Sequence, residues 1–254
     1  MLKIHQETFG KGKPIVMVHG WAMHSGMWRD FIQQLAQHYQ VTCIDLPGHG
    51  RSEKLEPFTL EQISTALVNV LPDEPSCWLG WSLGATVVLD IASRFPERCV
   101  SLILLAGNPC FTQKQQWHGV NGRLLDIFAD NLNKNCRATL LRFLSLQVNN
   151  LPAYKALLKE LETAIYECAI PDDQTLQDGL KLLKQSDLRS VLSAIDIPVS
   201  SILGNKDILV PVAVGQKMQQ LLPEMELNII DKAGHVPFLS HQHEVLSIIS
   251  RFMD

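Results

Sequence analysis

Three side chains suited to acyl transfer stand far apart in the sequence. Ser82 lies in "WLGWSLGATVVLDIASRFPE" between Gly80 and Gly84, Asp207 ends "SSILGNKD", and His235 lies in "DKAGHVPF". A serine hydroxyl is a weak nucleophile at neutral pH. It needs a base beside it, and the base needs an acid to orient it. Gly80-Trp81-Ser82-Leu83-Gly84 reads G-x-S-x-G between a strand-like and a helix-like run, the setting that separates a nucleophile elbow from a chance match. A sharp strand-to-helix turn lifts the hydroxyl clear of a sheet and tolerates only very small neighbours. It also leaves the oxygen at a helix N-terminus, where negative charge is favoured. The elbow implies the chain order serine, acid, histidine, which Ser82, Asp207 and His235 follow. Asp231 is the rival acid, but it stands too close in sequence to His235 to approach the ring from a separate strand. The remaining histidines (His5, His24, His38, His49, His118, His241, His243) read mostly as surface or turn residues.

A developing oxyanion needs two backbone N–H groups aimed at one point. Leu83, the residue after the nucleophile, supplies one, and Trp21 in "VHGWAMHSGMW" is assigned the other. His19 is expected to hold that loop by hydrogen bonds. Trp21, Trp81, Leu83, Phe111 and Phe143 would give the site apolar walls, with core packing the competing reading for any one of them.

The elements that must position these residues follow from periodicity. "PIVMVHG", "QVTCIDLPGHG", "SCWLGW" and "CVSLILLAG" are strand-like, alternating with helix-like "WRDFIQQLAQHY", "TLEQISTALVNVL" and "SLGATVVLDIASRF". Thr59 with Gln62 three residues on matches a capping box. Such alternation predicts βαβ units and a mainly parallel sheet with helices on both faces. Between 109 and 188 the patterns are helical only: "GRLLDIFADNL", "CRATLLRFLSLQ", "AYKALLKELETAIYECA" and "DDQTLQDGLKLLKQ". The α/β rhythm then returns with "IPVSSILGNKD", "VAVGQKMQQLL", "MELNIID" and "HEVLSIISRFM". We expect an α/β core over residues 1–108 and 189–254, with 109–188 inserted as an all-helical cap.

Composition narrows the class. The 254 residues are 46% hydrophobic and 19% charged, as in an ordinary globular domain. A net charge of −4 argues against a general nucleic-acid binder, which needs a basic face. The start resembles no signal peptide, and no run is apolar enough for a membrane span. Six scattered cysteines with no CxxC pair read as free thiols, with the cytoplasm as the natural compartment. No metal-ligand spacing, Walker lysine or GxGxxG is present, so no metal or cofactor is expected.

Taken in order, "HGW", "DLPGHGRS", "GWSLG", "GNKDILVP" and "AGHVPF" resemble the α/β-hydrolases over most of the core. "WLGWSLG", "NPCF", "RFLSLQ" and "LLKQSDLR" narrow the resemblance to the pimeloyl-(acyl-carrier protein) methyl ester esterases. That resemblance implies a serine carboxylesterase of biotin synthesis that releases methanol from the pimeloyl methyl ester while it is carried on acyl carrier protein. It makes Ser82 the nucleophile, Asp207 the acid and His235 the base, and places Phe143, Leu144, Ser145, Leu146 and Gln147 against the acyl chain. The family binds its acidic carrier through basic cap residues. Arg142 matches within its motif, while Arg137, Lys155 and Lys159 are further candidates. A monomer is expected. Two other readings compete: a broad short-chain carboxylesterase or thioesterase, and a non-catalytic small-molecule receptor of the same fold.

Overall fold

In the computed structural model, which describes residues 2–254, the apolar runs of the sequence become the middle of a seven-stranded sheet. The strands are β1 (Gln6–Phe9), β2 (Pro14–Val18), β3 (Gln40–Ile44), β4 (Ser76–Trp81), β5 (Cys99–Leu105), β6 (Val199–Gly204) and β7 (Glu226–Ile230). They lie in the order β1-β3-β2-β4-β5-β6-β7. All neighbours pair in parallel except β1 with β3. Every residue of β4 and β6 is buried, so both faces of the central sheet are covered, as continuous apolar runs require. The edge strand β1 is exposed throughout, which is why no apolar periodicity marked it in the sequence.

Around the sheet run α1 (Arg29–Leu35), α2 (Leu60–Val70), α3 (Leu83–Arg94), α4 (Gly122–Gln147), α5 (Tyr154–Ile165), α6 (Asp173–Gln185), α7 (Arg189–Ser193), α8 (Val212–Leu221), α9 (Pro237–Ser240) and α10 (Gln242–Met253). At the start of α2, Thr59 Oγ1 accepts the Gln62 amide at 3.3 Å, which is one half of the expected capping box. The other half is not made. Thr59 N–H donates instead to the Pro57 carbonyl at 3.1 Å, and the Gln62 Oε1 is left without a partner.

Between β5 and β6 the chain is helical, apart from isolated bridges pairing Thr112 with Val120 and Lys114 with Trp117. The Leu188 amide donates to the Pro109 carbonyl at 2.7 Å, so the two ends of this interval meet. The two helical patterns "GRLLDIFADNL" and "CRATLLRFLSLQ" form one run, α4, broken at Asn135, whose φ of −159° and ψ of 88° leave the helical region. Asn135 caps the second half of the run: its Oδ1 accepts the Ala138 amide at 3.0 Å. An asparagine side chain that caps the next turn competes with helix continuation. The six cysteines are free, and four of them are buried. Among the described residues no helix is long and apolar enough to cross a membrane.

Candidate active site

Because β2, β4, β6 and β7 are parallel, their carboxyl ends share one edge of the sheet. Trp21 follows β2, Ser82 follows β4, Asp207 follows β6 and His235 follows β7. Four stretches distant in sequence are thereby brought to one rim, the usual ligand position in open α/β sheets.

Ser82 has φ 55° and ψ −115°, a strained conformation for a residue bearing a side chain. The turn is tight enough to need both glycines. A Cβ on Gly80 would strike the Gly84 carbonyl, and one on Gly84 would strike the Val18 carbonyl of the neighbouring strand. The Ser82 amide donates to the Leu105 carbonyl at 3.1 Å, fixing the elbow to β5.

His235 Nε2 lies 2.8 Å from Ser82 Oγ, and its Nδ1 lies 2.7 Å from Asp207 Oδ2. Asp207 Oδ1 accepts the amides of Leu209 at 2.8 Å and Val210 at 3.0 Å. With that oxygen occupied, Oδ2 is left for the imidazole. The network assigns the proton to Nδ1, so Nε2 presents a lone pair to the serine hydroxyl. His235 is also fixed through its main chain: its N–H donates to the Gln147 carbonyl at 3.0 Å, and its carbonyl accepts the Trp81 indole N–H at 2.8 Å. Asp231 stands apart, exposed, with its Oδ1 2.7 Å from Asn205 Nδ2.

The Trp21 and Leu83 amides have no acceptor among the described residues. The Trp21 indole donates to the Leu176 carbonyl of α6 at 2.8 Å, and its ring meets Phe143 edge-on at 4.8 Å. Trp81 is packed within an aromatic cluster with Trp28 and Phe238. Phe111, Phe143, Leu144 and Gln147 are buried, while Ser145 and Leu146 are partly exposed. The Gln147 carboxamide is buried with neither of its polar atoms paired, a feature that periodicity could not reveal.

Arg137, Arg142, Lys155 and Lys159 are all exposed on the helices between β5 and β6. Arg137 lies over the Tyr166 ring at 5.0 Å. Arg142 lines a cleft of about 260 Å³ in the bend of α4, with Lys134 on the same wall. Ser82 is 5% exposed.

Two histidines read as surface or turn residues are in fact buried: His24 and His49. They belong, with His19 and Asp45, to a polar cluster beneath the loop after β2. The Leu46 amide donates to His19 Nε2 at 2.9 Å, leaving Nδ1 to donate to the Gly20 carbonyl at 2.8 Å. His19 thus holds the loop by hydrogen bonds. Burial, together with the nearby His49, pushes the His19 imidazole down to about 3. Burial likewise pushes His49 down to about 4. Burial works against charge on Asp45 as well, yet its carboxyl stays below the usual range. The nearby His19 imidazole and the amides of Ser25 at 2.6 Å and Arg51 at 3.0 Å outweigh that burial. The signal that could have exposed this cluster is the density of histidine and aspartate in "HGWAMHSG" and "DLPGHGRS". Among the described residues no group of three or more acidic, histidine or cysteine side chains could hold a metal ion.

A profile of the alpha/beta hydrolase fold matches residues 13–242. The chain is 39% identical over 248 residues to the pimeloyl-(acyl-carrier protein) methyl ester esterase of Nitrosomonas europaea, covering 97% of this chain and 98% of that one. It is 38% identical over 247 residues to the enzyme of the same name from Methylococcus capsulatus, covering 97% of each. Among solved structures, an esterase from Exiguobacterium antarcticum superposes with a TM-score of 0.90 at 20% identity, covering 100% of this chain and 96% of that one. A bromoperoxidase from Bacillus anthracis follows at 0.89 and 20% identity, covering 99% and 95%. These two likenesses speak for the fold alone. The chain belongs to the α/β-hydrolase family, in the branch of the pimeloyl-(acyl-carrier protein) methyl ester esterases.

Proposed function

We propose that this protein is a serine carboxylesterase that hydrolyses the methyl ester of a pimeloyl chain carried on acyl carrier protein, yielding the free carboxylate and methanol. The observation that carries the chemistry is the unbroken chain from Ser82 Oγ to His235 at 2.8 Å and on to Asp207 at 2.7 Å, built on a strained elbow. The likeness to curated esterases over nearly the whole chain supports the substrate.

In the first half-reaction His235 takes the Ser82 proton as the oxygen attacks the ester carbonyl, and the Trp21 and Leu83 amides receive the oxyanion. Methanol leaves with the proton from His235. Water then attacks the acyl-enzyme with the same imidazole as base, releasing the acid and restoring Ser82. Asp207 holds the ring tautomer and steadies the imidazolium throughout.

Residues 109–188 act as a cap over this site. Phe111 and the inward residues of α4, Phe143, Leu144 and Gln147, flank the acyl chain along with Trp21, Trp81 and Leu83. Ser145 and Leu146 lie on the same turn nearer the surface. Arg137, Arg142, Lys155 and Lys159 form a basic face toward the acidic carrier, and no carboxylate pairs with any of them among the described residues.

The test is methanol release from carrier-linked pimeloyl methyl ester and from the same ester free in solution. The wild type is expected to prefer the carrier-linked form, an advantage that shrinks as salt rises. The Ser82→Ala variant is expected to lose 10³-fold or more in turnover, toward about 10⁶-fold. Equal rates on both esters would reduce the assignment to a broad short-chain esterase, and an active Ser82→Ala would remove the serine mechanism.

A further inference from the structure

The nucleophile lies deep. Ser82 is 5% exposed and His235 is 1% exposed, and the clefts beside α4, α5 and α6 are lined by other residues. Helices between β5 and β6 pack around the nucleophile: Phe143 of α4 meets the Trp21 ring, and the Gln147 carbonyl accepts the His235 amide. What those helices grip is the loop that carries the second oxyanion donor.

Residues 20–26 link β2 to the turn before α1 with few bonds of their own. Met23 N–H reaches the Gly20 carbonyl at 3.3 Å, Met27 N–H reaches that of His24 at 3.3 Å, and Ala22 sits at φ 63°. A positive φ at alanine is strained and persists only where surrounding contacts impose it. The core holds the two ends of this loop, through the His19 bond to the Gly20 carbonyl and the Ser25 amide bond to Asp45; between them the contacts come from the helical segment. The Trp21 indole donates to the Leu176 carbonyl in α6 at 2.8 Å, lying so close to α6 that a Cβ on Gly179 would strike it. Three residues on, His24 is 3% exposed and bonded at both nitrogens. Its Nδ1 accepts the Gly26 amide at 3.0 Å, so Nε2 carries the proton and donates to the Ala164 carbonyl at 2.7 Å. That carbonyl belongs to the last turn of α5, where it also accepts the Glu167 amide at 3.1 Å. A rim ion pair, Arg29 to Glu167 at 2.9 Å, joins the same two regions.

We propose that His24 is a positioning residue, which together with the Trp21 indole clamps the loop of residues 20–26 to α5 and α6, so that the oxyanion hole is complete only while those helices are seated. The inference rests on the reading of the Trp21 amide as an oxyanion donor. Seating the cap on bound substrate then assembles the site, and lifting it for entry or product release dismantles it. Binding is thereby coupled to catalytic competence, as in induced fit.

The experiment compares wild type, His24→Phe, His24→Gln and Trp21→Phe. His24→Phe keeps a planar ring and loses both hydrogen bonds. His24→Gln retains an amide N–H that can reach Ala164. Trp21→Phe removes only the indole donor and some ring area. Loss of an oxyanion donor costs about 10²–10³-fold, and a loosened one costs part of that. His24→Phe and Trp21→Phe should each lower kcat about tenfold with KM changed less than about threefold, and His24→Gln should recover most of the loss.

The decisive readout is affinity for a trifluoromethyl ketone, which adds to Ser82 and places an oxyanion in the hole. It should weaken in parallel with kcat, while affinity for the product acid holds. A His24→Phe protein with wild-type kcat and ketone affinity overturns the clamp, as does a loss confined to KM or to melting temperature. Should His24→Phe not fold, Trp21→Phe tests the clamp through the same readouts, and wild-type behaviour in it overturns the clamp equally. A wild type that forms no ketone adduct would instead sink the serine-esterase reading on which the clamp stands.

Discussion

The two sides of the active site are built on opposite terms. On the sheet side, Ser82, His235 and Asp207 are fixed by hydrogen bonds to one another, and Asp207 also by its own loop amides. On the helical side, α4 breaks at Asn135, and the Gln147 carboxamide and Tyr166 hydroxyl are buried without partners. The basic side chains there face solvent. An unpaired buried polar group costs about 1–3 kcal/mol. The triad is therefore complete within the chain, while polar groups stay open around it on both sides: the Trp21 and Leu83 amides at the sheet, and the Gln147 carboxamide at the helices. Chemistry is carried by preorganised geometry, and recognition by surfaces left unfinished.

That contrast can be broken at several strengths. The strongest blow falls on the sheet side. Asp207→Asn should leave the fold intact and lower turnover by up to about 10⁴-fold, because the amide cannot hold the Nδ1–H tautomer. Wild-type turnover in that variant would remove Asp207 from the site.

On the helical side, reversing two cations at once (Arg142→Glu with Lys155→Glu) should narrow the preference for carrier-linked over free ester about tenfold at low ionic strength, and by less at high salt. An unaltered preference would place the carrier elsewhere.

The smallest effect concerns stability. His19 and His49 are held down to about 3 and about 4 in the folded chain, below the ordinary value near 6.5. Between those values and about pH 6.5 the unfolded chain binds protons that the folded chain refuses, so unfolding is favoured as pH falls through that window. Each imidazole contributes a slope of at most about 1.4 kcal/mol per pH unit. Urea denaturation from pH 7.5 to 5 should show it, and His49→Gln should flatten it by one proton's worth. A flat profile in the wild type would mean that these histidines titrate freely.

How far the sequence made all this legible depended on whether the cause was local. Runs such as "CVSLILLAG" and the glycines around Ser82 report steric needs that neighbouring residues create, so the strands and the elbow could be read directly. The burial of His24 and His49 arises from two loops packing against each other and against α5, and the density of histidine and aspartate in those loops is the only trace of it in the sequence. The break at Asn135 falls between the two helical patterns, yet only the structure shows them to be one bent run. The half-made cap at Thr59 was lost to a turn with Pro57, a competitor outside the motif. The pairing of β1 with β3 depends on a backbone edge, to which side-chain patterning is blind.

The main chain at His235 carries a consequence of its own. Its N–H hangs from the end of α4, its carbonyl is hooked by the indole next to Ser82, and two residues earlier the Ala233 carbonyl takes the Lys206 N–H beside Asp207. Three otherwise separate parts of the protein meet at one imidazole, as struts meet at a truss joint. Damage to any strut tilts the same ring, so lesions in different struts will not sum as independent losses: once one has slackened the joint, a second finds less left to spoil.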